Sequence, residues 1–150
     1  MTDSVNSREL VLAILLAVTK DGIYSHVAIS DVLTKYQYLE KQERSFITRV
    51  SEGTLERMLE LDYIINQFSS VKVNKMKPVI RCIIRSAVYE MKYMDSVPVS
   101  ASCNEAVKLA KKKGFGKLSG FVNGVLRNIG RNLDLSLIHI SEPTRRTPIS

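Results

Sequence analysis

Val97-Pro98-Val99-Ser100-Ala101-Ser102-Cys103-Asn104-Glu105-Ala106-Val107-Lys108-Leu109-Ala110-Lys111-Lys112-Lys113-Gly114, then Phe115 to Gly120, then Phe121-Val122-Asn123-Gly124-Val125-Leu126-Arg127, is the stretch whose reading decides the fold. Pro98 disfavours the helical conformation at Val97 and so ends whatever precedes it. Ser102 and Glu105 stand at the S-x-x-E spacing of a capping box, which predicts a helix starting near Ser100 to Ser102. Cys103, Ala106, Val107 and Ala110 recur at helical spacing, with Lys108, Lys111 and Lys112 mostly on the other side. Lysines in a last turn suit the negative helix end, and Gly114 can take the left-handed conformation that closes it. Leu118, Phe121, Val122, Val125, Leu126 and Ile129 then form the wide stripe of a second helix. Gly120 and Gly124, one turn apart, would let a neighbouring helix approach closely.

Working outward, the same helical period recurs along the chain. Asn6 and Glu9 form a second possible capping box before Leu10 to Val18, so a first helix is expected over about Ser7 to Lys20. It is apolar on nearly every side after Glu9, the pattern of a central helix covered by others. Asp21-Gly22 ends it, and Ser25 would cap a second helix carrying Val27, Ile29, Val32, Leu33 and Tyr36. A third begins near Leu39 to Lys41. Gly53 within it either interrupts the helix or marks close packing, since glycine costs a helix interior roughly 1 kcal/mol. Leu61, Ile64, Ile65 and Phe68 carry the pattern into a fourth helix. Glu52, Glu56 and Glu60 make an acidic ridge at four-residue steps, read as an exposed face or else as a docking face for a basic protein partner. After a short loop, Pro78 suits the first turn of a helix from about Lys75 to Met94.

The 150 residues, 45% hydrophobic, suit one globular domain with a substantial core. The longest apolar run, Leu10 to Val18, is far below the roughly 20 residues of a membrane span, so a cytoplasmic protein is expected. Two cysteines, Cys82 and Cys103, form neither a disulfide framework nor a zinc-ligand spacing. Both read as small buried side chains, although a helix start could lower the Cys103 thiol pKa. Neither a phosphate-binding glycine loop nor a nucleophile motif is present, and His26 and His139 lie far apart, so no catalytic or metal-binding constellation is legible.

The net charge of +7 is unevenly spread. Residues 1–74 hold 8 Lys and Arg against 10 Asp and Glu, residues 75–131 hold 12 against 3, and residues 132–150 hold 2 of each. Basic charge concentrated in one half of a domain is the footprint of a polyanion partner, whether RNA, DNA or an acidic lipid surface, or else a solvated basic face that aids solubility. Lys77, Arg81 and Arg85 rise at four-residue steps along one helix, with Tyr89 continuing the line. That face would suit a phosphate backbone with a base stacked at its end, or Tyr89 could instead finish the core edge. Lys77, Arg81, Arg85, Lys108, Lys111, Lys112, Lys113, Lys117 and Arg127 are the candidate backbone contacts, with Arg8 a lesser contributor. Cationic groups of the last three helices are expected to share one outer surface.

Asn104 to Lys111 followed by Phe121 to Arg127 resembles the paired motif of the NusB family, all-helical RNA-binding domains of bacterial transcription antitermination. The same domain is found at the N-terminus of rRNA cytosine-C5 methyltransferases of the RsmB (Sun/Fmu) type. Arg8-Glu9-Leu10, Gly53 to Arg57 with Leu61 to Ile65, and Ile80 to Tyr89 are more similar to that methyltransferase-linked version. The resemblance covers roughly residues 7 to 131. It implies an all-α fold of about seven helices in two small bundles, and a domain over 1–131. It also implies a role in binding small-subunit rRNA for a fused methyltransferase domain, which would hold S-adenosylmethionine and the catalytic cysteines. The alternative is a stand-alone antitermination factor acting with the ribosomal protein NusE. Against that alternative, antitermination members usually carry several N-terminal arginines, whereas Met1 to Ser7 offers none before Arg8. A third possibility is an interaction bundle without a nucleic-acid role. Residues 132–150 break the pattern and read as a translated cloning or sequencing adapter, or else as a disordered linker.

Overall fold

A computed structural model describes residues 6–133, so the tail read as a scar lies outside the described residues from Asp134 onward. Seven α-helices follow one another: α1 Ser7–Thr19, α2 Ser25–Lys35, α3 Lys41–Glu56, α4 Met58–Phe68, α5 Pro78–Tyr93, α6 Val99–Lys112 and α7 Ser119–Asn132. Short 3-10 turns at Val73–Lys75 and Gly116–Leu118 lead into α5 and α7, and the described residues contain no strand.

Helices α1 to α3 form one small bundle and α4 to α7 the other, and α5 joins them by packing on α1, α3, α4, α6 and α7. The strong apolar period of α5 explains this position: Ile80, Ile83, Ile84, Ala87, Val88 and Met91 are all buried. Helix α1 runs antiparallel to α5, since Arg8 meets Glu90 at one end and Thr19 lies 3.6 Å from the Cys82 sulfur at the other. Helices α6 and α7 are antiparallel as well, with Arg127 bonded to Asn104 and Gly130 packed beneath Val99. Val122, Val125, Leu126 and Ile129 bury the predicted stripe of α7, each apolar side chain contributing about 1.5–3 kcal/mol.

Several local expectations need correction. Helix α6 starts at Val99, one residue before the expected range of Ser100 to Ser102, because the Pro98 carbonyl accepts the first turn's bonds from Ala101 and Ser102. Ser102 caps nothing; it is buried and its hydroxyl donates to Glu90 at 3.0 Å. At α1 the Asn6 side chain accepts from the Arg8 and Glu9 amides, but Glu9 turns away to lysines instead of closing a capping box. Gly120 and Gly124 face open space. The close approaches are at Gly130, where an added methyl would sit 2.7 Å from Val99 Cγ1, and at Gly53, where it would overlap the Tyr89 ring. Gly53 therefore marks close packing of α3 on α5, and the helix breaks four residues later at Arg57, whose amide still reaches the Gly53 carbonyl.

The acidic ridge is not uniformly exposed. Glu52 and Glu56 face solvent, but Glu60 is drawn inward, receiving bonds from Lys92 and, at 2.5 Å, from the Tyr93 hydroxyl, with Arg57 at 3.3 Å. Burial raises the Glu60 pKa, yet the bonds from Lys92 and Tyr93 and the nearby charges outweigh it and hold the carboxyl below its ordinary 4.5. Burial, then the Glu60 carboxylate, pushes the Tyr93 phenol up. A depressed carboxylate contributes stability above its unfolded pKa and loses it as pH falls through the folded value. Glu60→Gln should therefore cost about 1–2 kcal/mol near neutral pH. That gap should close as pH drops through and below the ordinary carboxylate value of 4.5. Chemical denaturation at a series of pH values checks this, and a gap that stays constant down to acid would remove Glu60 from the account.

Candidate nucleic-acid interface

The sequence-predicted cations divide into two groups. Arg85 is turned inward and buried, making a two-pronged pair with Asp62 at 2.7 and 2.9 Å between α5 and α4. Tyr89 is buried against Gly53 and Tyr93, so its ring has no face free for a base. Arg81 folds back to donate to the Met76 carbonyl at 2.8 Å, leaving its Nε buried without a partner. Arg8 grips Glu90 with bonds of 2.7–3.2 Å and lies over the Phe46 ring. Arg81, Arg85 and Tyr89 leave the expected outer surface because α5 is the shared core helix of both bundles, and Arg8 of α1 leaves it because it pairs with Glu90 on that same helix. The charges of Arg8 and Arg85 hold helices together, α1 to α5 and α5 to α4.

The second group stays outside. Along α6, Asn104, Lys108 and Lys111 share one exposed face. Arg127 of α7 lies against that face, its guanidinium donating to Asn104 at 2.9 Å and to Asn123 at 3.1 Å. Lys108 has only a 3.4 Å pair with Glu105. Lys112 and Lys113 converge on the Glu9 carboxylate at 2.8 and 2.7 Å, and their hydrogen bonds hold the Glu9 carboxyl below its ordinary range. Gly114, at φ +89°, then reverses the chain as predicted, and Lys117 follows on the exposed 3-10 turn. Leu118 of that turn lines a cleft together with Lys75 and Lys77, so the approach to α5 and the α6–α7 turn are neighbours. Lys75, Lys77, Lys111 and Lys117 have no carboxylate partner among the described residues.

A basic end thus exists, built from fewer side chains than the residue spacing suggested. Sequence reasoning missed Lys75, which needed only the observation that it flanks Pro78 beside Lys77. It also missed the outer face of α3, where Lys41, Arg44, Ser45, Thr48, Arg49 and Glu52 line an open groove of about 470 Å³. The signal was present as helical spacing. Both guanidiniums of the groove have structural partners, Arg44 closing the end of α2 on the Leu33 and Tyr36 carbonyls and Arg49 bonding the Tyr93 carbonyl.

The cysteines are packing residues. Burial raises the Cys82 and Cys103 thiol pKa values, opposite to what a helix start would do for Cys103, which sits a full turn inside α6. No grouping of His, Cys, Asp or Glu among the described residues could hold a metal ion. None of the described helices is long and apolar enough to cross a membrane.

Seven helices in two bundles sharing α5, with lysines gathered at the α6–α7 turn, define a small all-helical domain with one basic end. The chain belongs to the NusB family, whose profile matches residues 5–131. It is 34% identical over 139 residues to the probable ribosomal RNA small subunit methyltransferase B of Bacillus subtilis, a match covering 93% of this chain and 31% of that protein. It is 35% identical over 131 residues to the transcription antitermination protein NusB of the same organism, covering 87% of this chain and 96% of that one. The chain thus spans about a third of the methyltransferase relatives it matches. Among solved structures, the antitermination factors NusB and NusE in complex with dsRNA give a TM-score of 0.76 at 22% identity, covering 83% of this chain and 93% of that one.

Proposed function

We propose that this domain binds RNA and positions small-subunit rRNA for a cytosine-C5 methyltransferase domain in the same polypeptide. Support comes from the lysines at the basic end that lack carboxylate partners among the described residues. They offer charge to a phosphate backbone, whereas Arg85 of α5 is paired with Asp62 and Arg81 is bonded to the Met76 carbonyl. Such contacts set affinity and register more than sequence choice. In this reading the chemistry and its S-adenosylmethionine belong to the catalytic domain, and the present residues supply grip and orientation. The 93% coverage of this chain by the methyltransferase match favours it over the runner-up.

The runner-up is an antitermination factor that binds RNA together with a NusE-like ribosomal protein. It is favoured by the near-complete coverage of the Bacillus subtilis NusB relative and by the fold shared with NusB bound to NusE and dsRNA. Binding to a small-subunit rRNA hairpin and to an antitermination-type single strand, at low and moderate salt, with and without NusE, separates the readings. Salt-sensitive preference for the hairpin without a partner is the expected result. Single-strand preference that appears only with NusE would transfer the assignment to the runner-up, and absence of binding to either RNA would remove both.

A further inference from the structure

The Glu9 carboxylate at the start of α1 faces two ammonium groups at the end of α6, one on each oxygen: Lys112 on Oε1 at 2.8 Å and Lys113 on Oε2 at 2.7 Å. All three remain within reach of solvent, Glu9 at 24% exposure, Lys112 at 60% and Lys113 at 36%. Pairs this exposed fasten helices weakly. Helix α1 has a stronger tie in any case, since the neighbouring Arg8 grips the buried Glu90, and Leu10, Val11, Ile14 and Leu15 are buried in the core. What distinguishes the clasp is its geometry. A carboxylate whose two oxygens are each held by an ammonium group stands where the two non-bridging oxygens of an RNA phosphate would stand. Lys111 just before the pair, and Lys117 beyond the Gly114 turn, have no carboxylate partner among the described residues, so free charge continues around the occupied position.

We propose that Glu9 is an internal stand-in for a phosphate, an autoinhibitory contact that an RNA strand must displace before it can engage Lys112 and Lys113. The inference rests on the RNA-binding reading above and deepens it, because it makes the basic end selective for polyanions over isolated anions. A single small anion has to compete with a carboxylate that is already tethered beside the two lysines. A strand anchored on Lys111 and Lys117 instead delivers its next phosphate at high effective concentration. The hydrogen bonds from Lys112 and Lys113 hold the Glu9 carboxyl below its ordinary range, so the stand-in is an anion at neutral pH. Once displaced it is still accommodated: Asn6 caps α1 by accepting from the Arg8 and Glu9 amides, and the first turn of a helix favours negative charge. Release of Glu9 therefore leaves the helix end intact.

The test measures binding of the full chain to a hairpin of small-subunit rRNA sequence over a series of salt concentrations, beside two variants that each lose one negative charge. Glu9→Gln keeps the shape of the side chain and removes its charge. It should bind on the order of fivefold tighter at low salt and steepen the dependence of log K on log salt by about one. Glu52→Gln removes the same charge from an exposed position on α3 that has no ion pair among the described residues, and should stay within about twofold of the unaltered chain. In a background with Lys112→Ala and Lys113→Ala, the gain from Glu9→Gln should vanish, which a purely structural tie would not produce. On the unaltered chain, adding the hairpin should move the Glu9 carboxyl carbon resonance, and this readout decides if Glu9→Gln fails to fold. Unchanged or weaker binding by a folded Glu9→Gln variant, an equal gain in Glu52→Gln, or a Glu9 resonance that stays put at saturating hairpin would overturn the stand-in and leave RNA binding standing. Absence of binding by every form at low salt would overturn the stand-in and RNA binding together.

Discussion

Arg8→Met should destabilise the domain by about 3 kcal/mol, the low end of what breaking a buried ion pair costs when one partner is left behind. Glu90 is 2% exposed and Arg8 24%, so the substitution strands a carboxylate that cannot reach water, with only the Ser102 hydroxyl remaining to it. The loss falls where α1, α5 and α6 meet, so both bundles feel it. Adding Glu90→Gln in the Arg8→Met background should recover most of the loss, because a neutral amide needs no counter-charge and can still accept from Ser102. Denaturant unfolding of the two single variants and the double variant gives the coupling directly. Additive losses, with no recovery in the double variant, would mean that Arg8 acts through its packing on Phe46 rather than through Glu90.

Gly53→Ala pits two effects against each other. In an open helix the change stabilises by roughly 1 kcal/mol, because alanine loses less backbone entropy than glycine. Here the new methyl would occupy the space of the Tyr89 ring, and that ring is held in turn by Tyr93. Overpacking of this kind costs about 1–3 kcal/mol and occasionally more, and the overlap engages the ring itself rather than the end of a flexible chain. The sterics should win, giving a net loss of about 2 kcal/mol or failure to fold. Tyr89→Leu, which vacates the ring position, should convert Gly53→Ala from harmful to neutral or favourable. If Gly53→Ala raises the melting temperature in the unaltered background, α3 and α5 are not as close as the structure has them.

The architecture was legible because helical periodicity, Pro78 at a first turn, Asn6 as a cap and Gly114 as a stop each leave a local trace in the residues. What escaped was direction. Lys77, Arg81, Arg85 and Tyr89 are evenly spaced, but spacing defines a face without saying what lies opposite. For α5 the opposite partners were Asp62, Gly53 and the Met76 carbonyl, all on other segments. The Ser102–Glu105 motif misled for the same reason: Glu90, twelve residues upstream, competes for the serine, and Pro98 already starts the helix. By contrast Lys111, in the last turn of α6, and Lys117, on the 3-10 turn that follows, are both exposed. The cleft lined by Leu118 joins the approach to α5 with the start of α7, segments distant in sequence, and no single window of residues contains it.

The central claim is that exposed lysines at the basic end, and not the arginines of α5, meet the nucleic acid. The slope of log K against log salt measures it, since each phosphate neutralised on a single strand contributes about 0.7 to that slope. Replacing Lys75, Lys77 and Lys117 together by alanine should reduce the slope by about two while leaving the unfolding transition in place. Replacing Arg85 by alanine should shift the unfolding transition and leave the slope unchanged. A triple variant with the full slope of the unaltered chain, or an Arg85 variant that folds as before and loses slope, would contradict the account.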